Sequence, residues 1–260
     1  MTVWDRPEPP ARPVPLDRER IVAAAITLAD EGGLEAVSVR KVAGRLNAGP
    51  MRLYGFMATK EELYDLMVDE VQGEILIGAG AGAGAGAVGV GGGGEVGAEG
   101  EVGGAVRAGA DASPSDWRET LRALAHRTRR TALRHEWLAD LLGGRPALGP
   151  NGLAVTEAKL AALDGLTDID TALRATETIS AYVTGALRRE IAHLRAVRVT
   201  GLTDSDWQRA SGSHVTAMLA TGRFPALARA VHDGSEVDAG VTFATGLEWV
   251  LDGVAARLTR

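Results

Sequence analysis

At 260 residues, with 45% apolar residues and a formal net charge of −6, the chain is long enough for one large domain or two smaller ones and apolar enough to build a core, which excludes wholesale disorder. The absence of cysteine excludes disulfides, thiolate zinc sites and cysteine nucleophiles, and makes the cytoplasm the expected location. The residues up to Pro15 lack a signal-peptide apolar core, and no segment offers about 18 uninterrupted apolar residues, so neither secretion nor membrane spanning is expected.

Residues 1–15 are proline-rich with little to bury and read as a flexible arm. A first helix is predicted from a cap at Asp17, with Ile21, Ala24, Ala25 and Leu28 at helical spacing and Gly32-Gly33 as its stop. Ser38 caps a second helix whose inward residues are Val39, Val42, Ala43 and Leu46. Asn47-Ala48-Gly49 makes a tight turn, and Pro50 suits the first turn of a third helix, where its missing N–H is no loss. Thr59 and Glu62 form a capping box that opens a fourth helix through Leu63, Leu66, Met67 and Val71. These elements define a helix-turn-helix domain over residues 16–72.

From Gly73 to 112 the composition turns to glycine and alanine, with close to half of the chain's 34 glycines, and is predicted to be a disordered loop. Gly89 to Gly94 matches the GxGxxG pattern, but no strand precedes it and no helix follows, so it reads as coincidence of composition. Order resumes at Ser113-Pro114. Helices are predicted at 114–134, 136–142, 152–163, 168–197, 204–220, 225–232 and 239–258, forming a second domain over residues 113–260 for ligand binding and dimerisation. No segment alternates as a strand does, so the fold class is all-α.

Between Ser38 and Lys60 stand Arg40, Lys41, Arg45, Arg52 and Lys60 with no acid, and residues 12–60 carry eight bases against five acids in a chain that is acidic overall. A local basic face fits an anionic partner whatever the sum of charge. Two short helices joined by a tight turn are the pattern that places a second helix in a DNA major groove. On the wheel of the third helix Leu53 and Phe56 turn inward, leaving Pro50, Met51, Arg52, Tyr54 and Gly55 outward or flanking. Arg52 suits a bidentate contact to guanine, Met51 a thymine methyl, and Gly55 close approach. Ser38, Arg40, Tyr54 and Lys60 suit phosphate, Ser38 and Lys60 also standing at helix starts.

The segment from Leu16 to Val71, with its order of Gly-Leu hinge, S-V-R-x-V-A-x-x-L, turn, L-Y and K-x-x-L, resembles the tetracycline-repressor (TetR) family. Weaker similarity runs through residues 117–142 and 246–258 to that family's tetracycline-repressor-type C-terminal domain. The resemblance implies a homodimeric, ligand-responsive transcription factor. It implies phosphate contacts at Arg40, Tyr54 and Lys60, and base reading at Gly49 to Arg52. Gly55-Phe56 stands where the family more often has a large aromatic or polar residue followed by histidine or tyrosine.

In the long helix from Asp168, Ile169, Leu173, Val183, Leu187, Ile191 and Leu194 form the expected apolar stripe, with Thr176, Ser180 and Thr184 inside it. On the last helix Phe243, Leu247, Val250, Leu251, Val254 and Leu258 share one side while Trp249 points away, which suggests a partner surface. These two helices are expected to pair across a two-fold axis as a four-helix bundle. A ligand pocket is expected among Trp117, Leu121, Leu124, Trp137, Leu141, Tyr182 and Met218, with Thr176 or His135 as polar handles. Arg127, Arg129, Arg130, Arg134 and His135 read as a solvated basic face.

The expected function is therefore a ligand-responsive repressor released from a palindromic double-stranded DNA operator by a small-molecule effector. No cofactor, metal or enzymatic role is expected, since no nucleophile-base pair, metal cluster or phosphate loop stands out. The alternative is a helical small-molecule-binding protein or enzyme that uses the basic helices for a phosphorylated molecule. Steep salt dependence of operator binding separates the two.

Overall fold

Asp17 starts the first helix, its carboxylate accepting the Arg20 N–H at 2.8 Å. The structure, a computed structural model, describes residues 16–77, 116–144, 147–202, 204–234 and 238–258. The expected arm, most of the glycine-alanine tract and the Ser113-Pro114 start lie outside the described residues. Helix α1 (Arg18–Gly32) ends at Gly33, whose φ of 70° and ψ of −177° belong to a region that only glycine enters freely. A single 3-10 turn (Leu34–Ala36) follows, then α2 (Val39–Arg45), capped by Ser38 Oγ on the Lys41 N–H at 3.2 Å. Helix α3 (Pro50–Leu53) is one turn long, and α4 (Lys60–Ile77) is the fourth.

Helix α4 does not stop where the composition changes. It passes through Gly73 and runs to Ile77, because Ile75 adds a fourth member to the buried line Leu63, Met67, Val71. Glycine inside a helix costs about 1 kcal/mol relative to alanine, but here the missing side chain admits a neighbour: a Cβ at Gly73 would stand 3.2 Å from Asn151 Nδ2. The capping box is also looser than its usual form. Thr59 Oγ1 accepts the Glu62 N–H at 3.1 Å, whereas Glu62 Oε2 reaches one residue beyond the cap to the Ala58 N–H at 2.6 Å.

The remaining helices are α5 (Asp116–Arg134), α6 (Leu138–Leu141), α7 (Pro150–Ala161), α8 (Ile169–Thr200), α9 (Asp204–Leu219), α10 (Pro225–Asp233) and α11 (Ala239–Leu258). Among the described residues there is no strand, as the all-α reading requires, and no helix is long and apolar enough to cross a membrane. The chain divides into two compact units, at Leu173 and Arg174.

In the first unit α4 packs against α1, α5 and α7. Its core holds Ile21, Val42, Leu53, Leu63, Met67, Leu121 and Trp137. In the second unit the buried line of α8 is Ala175, Thr176, Ile179, Val183, Leu187 and Ile191, and that of α11 is Phe243, Leu247, Leu251 and Val254. Three members of the expected α8 stripe are exposed, Ile169 and Leu173 in the first unit and Leu194 in the second. The other three, Val183, Leu187 and Ile191, are buried as expected, and Ala175, Thr176 and Ile179 continue their line. Tyr182 of α8 lays its hydroxyl against α11, donating to Phe243 O at 2.8 Å, and the same hydroxyl oxygen occupies the space that a side chain at Gly246 would need.

Candidate nucleic-acid interface

The turn before α3 rests on Asn47, the one non-glycine residue with positive φ (50°) among the described residues, a conformation that asparagine tolerates better than most. From there the chain enters α3 with Pro50 in its first turn and buries Leu53 and Met57. Anchoring at those two points turns the rest of the segment outward: Met51 is 80% exposed, Tyr54 50%, and Arg52 is exposed as well. Phe56 is only half-buried, and Met57, not singled out from the sequence, takes the inner position with Leu53.

No atom lies within 4 Å of where a side chain at Gly49 would begin, and at Gly55 the nearest is Arg52 O at 3.5 Å. The protein's own packing therefore does not demand glycine at either position. Pro50 and Arg40 are exposed. Ser38 is committed to its cap. Lys60, the first residue of α4, holds Nζ 5.1 Å above the Tyr64 ring, and the Tyr64 hydroxyl donates to Leu34 O at 3.1 Å, so the lysine is poised on a ring that braces α4 against the 3-10 turn.

The basic run is less uniform than its sequence suggests. Arg45 forms a two-pronged ion pair with Glu31 of α1, both bonds at 2.7 Å. Hydrogen bonding from Arg45 holds the Glu31 carboxyl below its usual range, and the same contact raises the arginine. Nothing in a linear reading pairs residues so far apart; the close packing of α1 on α2 does.

Of the residues expected to line a ligand site, Trp117, Leu121, Leu124 and Trp137 are buried in the first unit and Leu141 is half-buried there. Thr176 is buried and Tyr182 half-buried in the second. The Tyr182 hydroxyl is engaged by α11 carbonyls and burial pushes it up, with Arg189 opposing. Met218 is exposed. The basic face of α5 also differs from its solvated reading. His135 is buried between Asp30 and Glu74, Arg134 pairs with Glu74, and Arg127 Nε is buried with no hydrogen-bond partner among the described residues. Burial, then the nearby charge of Arg130, lowers the Arg127 guanidinium.

Residues 111–258 match the family described as tetracyclin repressor-like, C-terminal domain. An HTH-type transcriptional repressor, DrrR1, of Streptomyces coeruleorubidus is 34% identical over 97% of this chain and 83% of its own. An HTH-type transcriptional regulator of Saccharopolyspora erythraea is 31% identical over 98% of this chain and 91% of its own. Among solved structures, the TetR family protein ActR of Streptomyces coelicolor in complex with (S)-DNPA superposes with a TM-score of 0.68 at 26% identity, covering 94% of this chain and 100% of that one. A one-turn helix held outward by two buried anchors, preceded by a capped helix and a left-handed turn, defines a helix-turn-helix DNA-binding protein. The chain belongs to the tetracycline-repressor family and is a transcriptional regulator.

Proposed function

We infer that the protein is a repressor that holds a near-palindromic operator as a symmetric dimer and releases it when a small molecule occupies the C-terminal domain. The observation that carries this reading is the outward set of α3, where Met51, Arg52 and Tyr54 stand clear of the protein's own core while Leu53 and Met57 fix the turn from within. Arg52 reads guanine, Met51 meets a thymine methyl, and Gly49, Pro50 and Gly55 let the backbone approach the groove. Arg40, Tyr54 and Lys60 hold phosphates, and Ser38 offers the anion the start of α2 more than its own hydroxyl.

The wall of the effector site is assigned to Trp117, Leu121, Trp137 and Leu141 of α5 and α6, within the first unit. The bonds that Tyr182 makes to α11 favour a packing role for it. That ActR was solved with (S)-DNPA supports a small organic effector for this chain too.

Selection of duplexes from a random pool by the full chain tests the reading. The expected product is an inverted repeat whose affinity falls steeply with salt, with a lower slope for Lys60→Ala. Recovery of no preferred sequence, or binding that is indifferent to salt, overturns it.

A further inference from the structure

Three carboxylates of the DNA-binding segment act as sockets for the helices that follow it. Asp69, midway along α4, accepts the backbone N–H of Gly152 at 2.9 Å through Oδ1, and the Asn151 side-chain amide reaches its backbone oxygen at 3.1 Å and Oδ2 at 3.4 Å. Glu74, further along α4, takes Arg134 and His135 Nε2. Asp30 of α1 takes His135 Nδ1 at 2.8 Å and Trp137 Nε1 at 2.7 Å. In each of these contacts the carboxylate residue lies before residue 78 and its partner lies within the stretch matched to the repressor-like C-terminal domain.

The Asp69 contact has no slack. A side chain at Gly149 would overlap the Asp69 carboxylate, and one at Gly152 would come within 2.6 Å of Gln72 Oε1 and 2.7 Å of Ala147 Cβ. The first turn of α7 therefore lies directly on α4, with the Gly152 peptide N–H and the positive end of its dipole on a fixed anion. An apolar seam can slide by a rotamer; a contact of backbone, glycine and carboxylate cannot without breaking hydrogen bonds. Helix α4 starts at Lys60, shortly after α3 ends at Leu53, which places its start close in the chain to the reading residues.

Resting on the DNA-binding reading, we propose that Asp69 is the positioning residue through which the start of α7 sets α4, so that the state of the C-terminal domain and occupancy of the operator are felt by each other. Coupling is reciprocal, so DNA alone must be sensed at α7. The probe is a duplex selected by the wild-type chain, and the readout is amide hydrogen exchange at Asn151 to Leu153 with and without it. The expected result is a change of roughly five-fold or more on binding, lost in Asp69→Ala while duplex affinity stays close to wild type, and kept in Asp69→Asn, whose amide oxygen still accepts the Gly152 N–H. Gly149→Ala keeps the carboxylate but wedges the contact, and its response should fall as in Asp69→Ala, so a poorly folded Asp69→Ala does not remove the test. Duplex binding with unchanged exchange in the wild type, or a full response in Asp69→Ala and Gly149→Ala, overturns the proposal. Failure of the wild type to bind any selected duplex overturns the DNA-binding reading and this proposal together.

Discussion

Arg52 and Arg45 sit within one basic run yet face different demands. Arg52 is exposed on α3, and a bidentate contact from it to a guanine is worth about 1–3 kcal/mol of discrimination. Arg52→Ala should flatten the preference at one position of each half-site while leaving the others, as measured by binding to duplexes substituted base by base. Arg45 is bound to Glu31, a partner whose depressed carboxyl keeps the pair intact at neutral pH and loses it only as the pH falls through that depressed value. Glu31→Gln should free Arg45 for phosphate, tightening binding at low salt and steepening the slope of log affinity against log salt by about one unit. An unchanged slope would place Arg45 away from the DNA. The difference between these arginines was not legible in the sequence, because spacing along a helix says which residues share a face and nothing of which helix lies opposite.

Short elements depend on few anchors, and α3 is the extreme case. Its single turn is fixed by Leu53, fully buried, and by Met57 just beyond it. Truncating a buried leucine costs about 2–5 kcal/mol, and for so short a helix the loss should fall on the presentation of Met51, Arg52 and Tyr54 as well as on stability. Leu53→Ala is expected to lower the melting temperature and weaken operator binding more than Arg52→Ala, by calorimetry and titration on the same samples. The caps at Asp17 and Ser38, the turn at Asn47 and the start at Pro50 were readable because each is a local device whose chemistry sits within three or four residues. What was not readable had a tertiary cause. Gly73 looked like an end and is a point of close approach to Asn151. The α8 stripe held at Val183, Leu187 and Ile191 but not at Ile169, Leu173 and Leu194; before Val183 the buried positions include Ala172, Ala175 and Ile179, and alanine leaves little trace in an apolar pattern. His135 looked like a surface base because its two carboxylate partners lie more than sixty residues away.

At the scale of the whole molecule the second unit is left with more apolar surface than a solitary unit favours. Trp249 on α11 is 72% exposed, and Leu194 and Val199 on α8 and Val241 on α11 are exposed with it. The buried lines of these two helices are already satisfied within the chain, so what remains outside is available to a second copy, and two-fold pairing would present two α3 turns to the two halves of a palindrome. A tryptophan at the centre of such a contact is the residue type whose removal is felt most. Replacing it by a charge, Trp249→Glu, should leave the monomer's helical content and melting behaviour nearly unchanged, because the side chain packs on little of its own chain. It should shift the sedimentation coefficient to that of a monomer at micromolar concentration. Loss of dimers should cost operator affinity far beyond any single contact, since two half-sites are then bound separately, while affinity for an isolated half-site stays as it was. A Trp249→Glu protein that still sediments as a dimer and binds the full repeat would move the interface to another face of the second unit.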